Sequence, residues 1–194
     1  MRFCVFSGSS KGSDPAFLNS AATLGTALAR RDIGFVYGGA GIGLMGAAAD
    51  AALAAGGEAI GVLPEALARA EIPHPNLTEL HIVSSMHERK AMMSNLSDAF
   101  IALPGGFGTL EETFEILTWL QLGIHNKPIG LLNTVGFYDT LLRFLDEQVS
   151  AGFVRAEHRA LLHSFDDADA LIDALALETK QAAERPPVEK WIEP

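Results

Sequence analysis

Short apolar runs alternate with amphipathic stretches along most of the chain, and this alternation constrains the fold more than any other feature. Six runs have the character of buried strands and a weaker seventh follows, at residues 2–7, 34–37, 58–63, 80–83, 99–103, 129–132 and 160–164. Helical stretches lie between most of them, at residues 14–31, 44–55, 86–97, 109–122, 137–151 and 167–177. The pattern predicts an α/β fold, a doubly wound, Rossmann-like parallel sheet with helices on both faces.

No shift in composition and no linker divides the chain, so residues 1–194 are predicted to form one nucleotide-binding, Rossmann-like domain. A chain of this length buries roughly 70% of its unfolded surface on folding, which provides a full core. The tail 178–194 contains no recognisable motif. We predict that this tail is extended or disordered, or docked through Trp191.

Charge and cysteine content limit the partners. The net charge of −10 argues against binding nucleic acid, which requires a basic surface. No apolar run approaches the roughly 20 residues that span a bilayer, so no membrane partner is expected. The lone Cys4 cannot form an internal disulfide, which fits a cytoplasmic location. The histidines have neither helical i, i+4 pairing nor cysteine partners, so no metal site is predicted.

Three glycine-bearing loops each follow a predicted strand. They are residues 7–13, 38–46 and 104–112. Ligands of doubly wound sheets bind outside the carboxyl ends of the strands. Convergence of the three loops would form a nucleotide-sized pocket, in which the additional candidate contacts are Gly8, Ser9, Gly38 and Gly39.

The loop at residues 104–112 joins a predicted strand to a helix that carries carboxylates. Its three glycines allow backbone N–H groups to turn toward an anionic oxygen. Thr109 is predicted to cap the helix, where free N–H groups and the helix dipole favour a phosphate. The alternative is an ordinary strand-to-helix turn. The nearby Glu112 makes this alternative less favoured.

A second loop fits the G-x-G-x-x-G dinucleotide fingerprint through Gly41, Gly43 and Gly46. Glu65 lies at a spacing that suits the acidic residue of a ribose contact. The fingerprint follows the second strand, however, and no later histidine is an obvious acid or base for hydride transfer. Nucleotide contact or tight helix packing is therefore favoured, and an NAD-dependent oxidoreductase is the less favoured alternative.

A cationic segment lies on the predicted helix at 86–97, where Met86, Arg89, Met93 and Leu96 share one face. A guanidinium is costly to bury alone, so Arg89 is expected to meet a carboxylate, a phosphate or both. Lys90 projects about 100° away and is placed to reach a second oxygen at the same site. The alternative is a structural ion pair for Arg89 and a solvated Lys90.

The helix after the 104–112 loop carries Glu111, Glu112 and Glu115 in its first two turns, where the dipole favours negative charge. Glu112 aligns with Ile116 and is predicted to face an interior or an interface, whereas the other two acids share another side. Three carboxylates would repel a phosphate unless the cations of the preceding helix offset them.

Together these segments resemble the Lonely Guy (LOG) family of cytokinin-activating phosphoribohydrolases. The family's PGGxGTxxE signature corresponds to residues 104–112 and its MHxRK-type segment to residues 86–90, and the similarity covers nearly the whole chain. The resemblance implies hydrolysis, without a cofactor, of the N-glycosidic bond of adenosine 5′-monophosphates such as cytokinin riboside monophosphates or AMP. The products would be the free base and ribose 5-phosphate.

The resemblance also implies roles for individual residues. The catalytic pair would be Arg89 and Glu112. Substrate contacts would fall on Glu71, Arg89, Lys90, Gly105, Gly106, Phe107, Gly108, Thr109, Leu110, Glu111, Glu112 and Thr118. Many members have an aspartate where this chain has Ser85, a difference that bears on the positioning of ribose or water.

Family members assemble, so the resemblance implies a homodimer or a larger homo-oligomer. Trp119, Leu120 and Leu122 are the candidate contacts, and their packing within one subunit is the alternative. A nucleotide-binding regulator without hydrolytic activity is the alternative function.

Overall fold

The computed structural model describes residues 1–68 and 73–184. Its strands are β1 (Arg2–Phe6), β2 (Gly34–Tyr37), β3 (Ala59–Pro64), β4 (Glu79–Val83), β5 (Ala99–Ala102), β6 (Ile129–Leu132) and β7 (Leu162–Phe165). Its helices are α1 (Pro15–Ala29), α2 (Gly43–Ala54), α3 (Glu65–Ala68), α4 (Met86–Asn95), α5 (Phe107–Gln121), α6 (Asp139–Ser150), α7 (Ala156–Arg159) and α8 (Ala168–Glu184). A 3₁₀ turn, Thr134–Gly136, precedes α6.

The strands form one parallel sheet in the order β4-β3-β2-β1-β5-β6-β7, covered by helices on both faces. On one face, α1, α2 and α8 contribute the buried side chains of Leu24, Leu44 and Leu171. On the other face, α4 and α5 contribute Met93 and Ile116. Central strands that are buried on both sides read as near-continuous apolar runs. The predicted doubly wound α/β fold is confirmed.

The winding direction reverses between β4 and β5, and this reversal positions the site. Strands β2, β3 and β4 are added outward from one side of β1, and β5 then pairs with its other side. The loops after β1 and β5 therefore meet, and the N–H of Gly8 donates to the carbonyl of Pro104 at 3.1 Å. Such a switch point is where doubly wound sheets bind ligands.

The prediction that Thr109 caps helix α5 is wrong. The helix begins at Phe107 with Gly106 as its N-cap, and Thr109 is buried inside the first turn. Glycine is accepted at the N-cap position, so the helix begins before Thr109, the first residue whose side chain could have capped it.

Helix α8 continues to Glu184, so the prediction that residues 178–184 belong to an extended tail is wrong. These residues include good helix formers, and the first proline after them is Pro186. The prediction for Trp191 falls outside the described residues. Neither α8 nor any other helix in the described part of the chain is long and apolar enough to cross a membrane.

Candidate active site

Capping at the start of α4 sets the direction of the cationic residues. Ser85 is the N-cap, and its hydroxyl accepts a hydrogen bond from the N–H of Glu88 at 3.2 Å. The Glu88 carboxylate accepts from Oγ of Ser84 at 2.7 Å and from its N–H at 2.8 Å, which lowers the pKa of Glu88. Serine and aspartate are comparable N-caps, so Ser85 performs the capping that an aspartate would provide.

Arg89 points from α4 into the protein, where backbone carbonyls hold its guanidinium. The side chain is 9% exposed, and its Nη1 lies 3.8 Å from Oε1 of Glu112. Nε donates to the carbonyl of Val62 at 3.1 Å, and Nη2 to that of Gly38 at 3.4 Å. The predicted burial of Arg89 beside a carboxylate is confirmed. Met86, by contrast, is 42% exposed, because it is the first residue of the helix.

Glu112 faces inward from the second turn of α5. Its side chain is 13% exposed, whereas that of Glu111 is 54% exposed. Burial raises the pKa of Glu112 to about 7, Arg89 opposes this rise, and Glu111 adds to it. A carboxyl group with a pKa near neutrality is suited to proton transfer at physiological pH.

Lys90 connects α4 to the other two carboxylates of α5. Its Nζ lies 2.6 Å from Oε1 of Glu111 and 2.9 Å from Oε1 of Glu115, and its side chain is 12% exposed. The alternative of a solvated Lys90 is therefore wrong, because the acidic side of α5 packs against this part of α4. A cavity of about 10 Å³ is bordered by Lys90, Glu112 and Glu115.

The glycine-rich loop between β5 and α5 leaves open space at the helix N-terminus. A Cβ atom on Gly106 or Gly108 would meet no atom within 4 Å. No side chain caps the helix, so its first N–H groups are available to a ligand. At Gly105, a Cβ would instead collide with Thr109 and come within 2.9 Å of the Gly8 nitrogen. The open N-terminus has the donor set that binds phosphate.

The remaining residues of the implied substrate site are more dispersed. Phe107 is 94% exposed at the first helical position, and Leu110 is half-buried against the core. Thr118 is exposed further along α5, about 9 Å from Glu112 by helical rise. The described chain therefore does not bring Thr118 to Arg89 and Glu112. Glu71 lies outside the described residues.

The four additional candidate contacts come from the loops after β1 and β2. Gly8 contacts the 104–112 loop, and Ser9 is exposed beside it. Gly39 has a φ of +84° and forms the turn after β2. Gly38 lies against the guanidinium of Arg89. All four are thus at the carboxyl edge of the sheet.

The glycines of the dinucleotide-like motif serve internal packing. A Cβ on Gly46 would lie 2.5 Å from the carbonyl oxygen of Gly41, and Gly43 packs closely against the backbone of the β1 loop. The N–H of Leu44, in the first turn of α2, donates to the carbonyl of Gly8 at 3.0 Å. That N–H is therefore committed within the protein, which supports packing over NAD binding.

Two side chains that support the site, the buried Tyr138 and the half-buried His125, carry no recognisable sequence signal. Tyr138 donates its hydroxyl proton to the carbonyl of Leu103 at 2.7 Å, directly before the glycine loop. In His125, Nδ1 accepts from the N–H of Lys127 and Nε2 donates to the carbonyl of Ile116, each at 3.1 Å. Burial lowers the pKa of His125 to about 4, so its ring is neutral at physiological pH.

A larger cleft of about 580 Å³ lies at the opposite, amino-terminal edge of the sheet. It is lined by Arg2, Gly34, Glu58 and Asp98 among others, and contains none of the predicted site residues. Within residues 1–68 and 73–184, no group of His, Cys, Asp or Glu side chains is placed to hold a metal ion.

The chain is similar to proteins of known name. A family model described as "Possible lysine decarboxylase" matches residues 45–175. The Oryza sativa subsp. japonica protein named probable cytokinin riboside 5′-monophosphate phosphoribohydrolase LOGL1 is 46% identical over 98% of this chain and 85% of its own length. This chain belongs to the LOG family. A second LOG relative, cytokinin riboside 5′-monophosphate phosphoribohydrolase LOG1 from Arabidopsis thaliana, is 48% identical over 90% of this chain and 82% of its own.

Solved structures share the fold of this LOG-family chain. The molybdenum cofactor carrier protein from Chlamydomonas reinhardtii matches with a TM-score of 0.69 and 23% identity, over 95% of this chain and 98% of the other. The molybdenum cofactor binding protein from Rippkaea orientalis matches with a TM-score of 0.67 and 22% identity, over 91% and 95%. At these identities the likeness concerns the fold.

Proposed function

We propose that this LOG-family protein is a phosphoribohydrolase that cleaves the N-glycosidic bond of adenosine 5′-monophosphates to the free base and ribose 5-phosphate. The observation that carries the proposal is the buried pair of Arg89 and Glu112, 3.8 Å apart, at the switch point of the sheet. Relatives that are 46% and 48% identical are named for this reaction on cytokinin riboside 5′-monophosphates. We propose those nucleotides or AMP as substrates.

Glu112 is the proposed acid–base group. Cleavage of a ribosyl bond develops positive charge at the anomeric carbon and negative charge on the purine. As a carboxylate, Glu112 stabilises the sugar cation or takes a proton from the attacking water. The water oxygen bonds to the anomeric carbon, the C–N electron pair leaves with the purine, and the purine gains a proton equivalent to the one taken from water. General-base catalysis contributes about 10²- to 10⁴-fold.

Arg89 and the 104–112 loop are the proposed anion-binding groups. Because backbone carbonyls engage Nε and Nη2 of Arg89, Nη1 is the nitrogen directed to the phosphate or the departing base. The N–H groups of Gly106, Gly108 and Thr109 would bind the 5′-phosphate at the helix N-terminus. Binding of that remote group helps to position the sugar.

We propose that the protein is a homodimer or a larger homo-oligomer. Trp119 and Leu120 pack against the core of their own chain, as the alternative interpretation held. Leu122 and Ile124 remain 61% and 63% exposed and are the proposed contacts with a second copy. Light scattering on the wild type and on a double variant, Leu122→Ser with Ile124→Ser, tests this assignment. A wild-type monomer would contradict it.

We also propose a cytoplasmic location. Cys4 is the only cysteine in the sequence. It is fully buried in β1, and burial raises the pKa of its thiol well above the usual value. A buried thiol without a disulfide partner fits a reducing compartment, and cell fractionation tests this location.

Lysine decarboxylation, named in the description of the family model, gains no support from Lys90, the lysine beside Arg89 and Glu112. That reaction needs a lysine free to form a Schiff base with pyridoxal phosphate. Lys90 is held in two ion pairs, at 2.6 and 2.9 Å. Lys127 precedes β6, at the opposite edge of the sheet, and donates to the carbonyl of Ser94 at 2.7 Å.

Product analysis tests the proposed reaction. Purified protein is incubated with AMP and with isopentenyladenosine monophosphate, and the products are separated by chromatography. We expect free base and ribose 5-phosphate in equal amounts from at least one substrate. Nucleotide binding without base release would favour a regulator, and NAD binding in a titration would favour the oxidoreductase.

A further inference from the structure

Gly38 lies where the side chain of any other residue would meet Arg89. A Cβ built on Gly38 would collide with Nη2 of Arg89, and its next contacts are Cζ of the same side chain at 3.3 Å and Sδ of Met45 at 3.4 Å. The only severe collision is thus with the end of the Arg89 side chain.

The guanidinium is fixed against the backbone at this position. Nη2 donates to the carbonyl of Gly38 itself, and Nε donates to the carbonyl of Val62 in the neighbouring strand β3. Gly38 directly follows β2 and Val62 lies within β3, so the ends of two paired strands hold the guanidinium. With Nε and Nη2 held, the planar guanidinium directs Nη1 to a position 3.8 Å from Oε1 of Glu112 and 3.9 Å from Sδ of Met86.

Conformational freedom does not explain this glycine. Gly39, the next residue, has a φ of +84°, a region that favours glycine, but the φ of Gly38 lies outside that region. Alanine is therefore compatible with the backbone conformation at Gly38. Glycine is required here because the absence of a side chain leaves space for Nη2 of Arg89.

We propose that Gly38 is a positioning residue for the reaction, and that the space left by its missing side chain sets the place and direction of the Arg89 guanidinium. This inference rests on the proposed function, and it assigns Gly38 a role through Arg89 in place of a direct nucleotide contact. Substitution by alanine would displace Nη2 and break the hydrogen bond pattern that directs Nη1. A displacement of about 1 Å in a catalytic group costs about 10²-fold in rate.

A set of variants tests the proposal through kcat and KM for AMP. Gly38→Ala should lower kcat/KM by about 10²-fold. In an Arg89→Ala background it should have no further effect, because the colliding atoms are gone. In an Arg89→Lys background its effect should be much smaller than in the wild type, since lysine has no Nη2. An equal effect of Gly38→Ala in all three backgrounds would overturn the proposal.

Gly130→Ala is the matched control. Gly130 lies in β6 of the same sheet, and a Cβ there would also meet the end of one side chain, Cδ1 of Leu171, at 2.5 Å. Both alanine variants should keep the wild-type circular dichroism spectrum, but only Gly38→Ala should lose activity. Equal loss in the two folded variants would show that strain in the sheet, rather than Arg89, is responsible.

A readout independent of turnover separates this proposal from the proposed function. The charged or titratable groups that act on Glu112 are Arg89 and Lys90 of α4, Glu111 and Glu115 of α5, and Cys4 of β1. Because Arg89 acts to lower the pKa of Glu112, displacement of its guanidinium should shift this pKa, measured by carboxyl-selective NMR titration. Gly38→Ala should therefore shift the pKa of Glu112 in the wild-type background and leave it unchanged with Arg89→Ala, whether or not AMP is hydrolysed. An unchanged pKa in both backgrounds would contradict the positioning role.

Discussion

Nη1 of Arg89 and Oε1 of Glu112 lie 3.8 Å apart, between helices α4 and α5. This separation exceeds the roughly 2.7–2.9 Å of a charge-assisted hydrogen bond, so both groups retain the capacity to bind a third partner. Burial raises the pKa of Glu112 to about 7 despite the adjacent cation. The pair thus combines a proton acceptor that works near neutral pH with a fixed positive charge.

The reaction rate should rise with pH through neutrality. Since the pKa of Glu112 is about 7, the carboxylate becomes the major form only above that pH. We expect kcat/KM for AMP to increase about tenfold between pH 6 and pH 8, with a half-maximum near 7. Initial rates at constant ionic strength provide the measurement. A flat profile over this interval would contradict the role of Glu112 as a carboxylate.

Glu112→Gln should stabilise the protein at high pH. The folded state raises the pKa of Glu112 from 4.5 to about 7, so the protonated form is favoured by folding. The stability contributed by this group is fully present below pH 4.5 and is lost as the pH rises to about 7. The difference amounts to at most about 3 kcal/mol. Denaturant unfolding at pH 5 and pH 8 should show the gain mainly at pH 8, whereas the exposed control Glu147→Gln should show none.

Lys90→Ala should mainly raise KM for AMP. Without Lys90, the carboxylates of Glu111 and Glu115 lose their partner and repel an anionic substrate. Lys90 also acts to lower the pKa of Glu112, so the rise in rate with pH should move to higher pH. Steady-state kinetics across pH provide the test, with the exposed Lys180→Ala as control. An unchanged KM would remove Lys90 from phosphate binding.

His125→Ala should lower stability without changing the chemistry. The substitution leaves the partly buried N–H of Lys127 and the carbonyl of Ile116 without their side-chain partner, which costs about 2 kcal/mol. Because burial lowers the pKa of His125 to about 4, the wild type loses its advantage as the pH falls from about 6.5 toward 4. Unfolding at pH 8 and pH 5 should therefore show the larger difference at pH 8, with His158→Ala as control. A large fall in kcat would instead give His125 a catalytic role.

The strands were predictable because their signal is local. Buried parallel strands are near-continuous apolar runs, and every observed strand overlaps a predicted one. Helix ends were less predictable. The N-cap of α5 is Gly106, which has no side chain to mark the start of the helix. At the end of α8, the residues after Leu177 include no helix breaker before Pro186, although many of them are polar.

The site was predictable where one residue type demands another. An arginine on an apolar face requires a partner, and Glu112 is the carboxylate that the helical spacing directs inward. The two ion pairs of Lys90 and the contact between Gly38 and Arg89 were not predictable, because they depend on how α4 packs against α5 and the sheet. No spacing along the chain contains that information.

The proposed hydrolysis is tested most directly by release of free base and ribose 5-phosphate from a nucleoside monophosphate by the wild type and by Glu112→Gln. The exposed Glu65, the acidic residue of the dinucleotide-like pattern, provides the control Glu65→Gln. We predict equal amounts of both products from the wild type and the control, and turnover at least about 10²-fold lower for folded Glu112→Gln. Base release by Glu112→Gln at the wild-type rate, or none by the wild type with AMP or with isopentenyladenosine monophosphate, would contradict hydrolysis with Glu112 as its acid–base group.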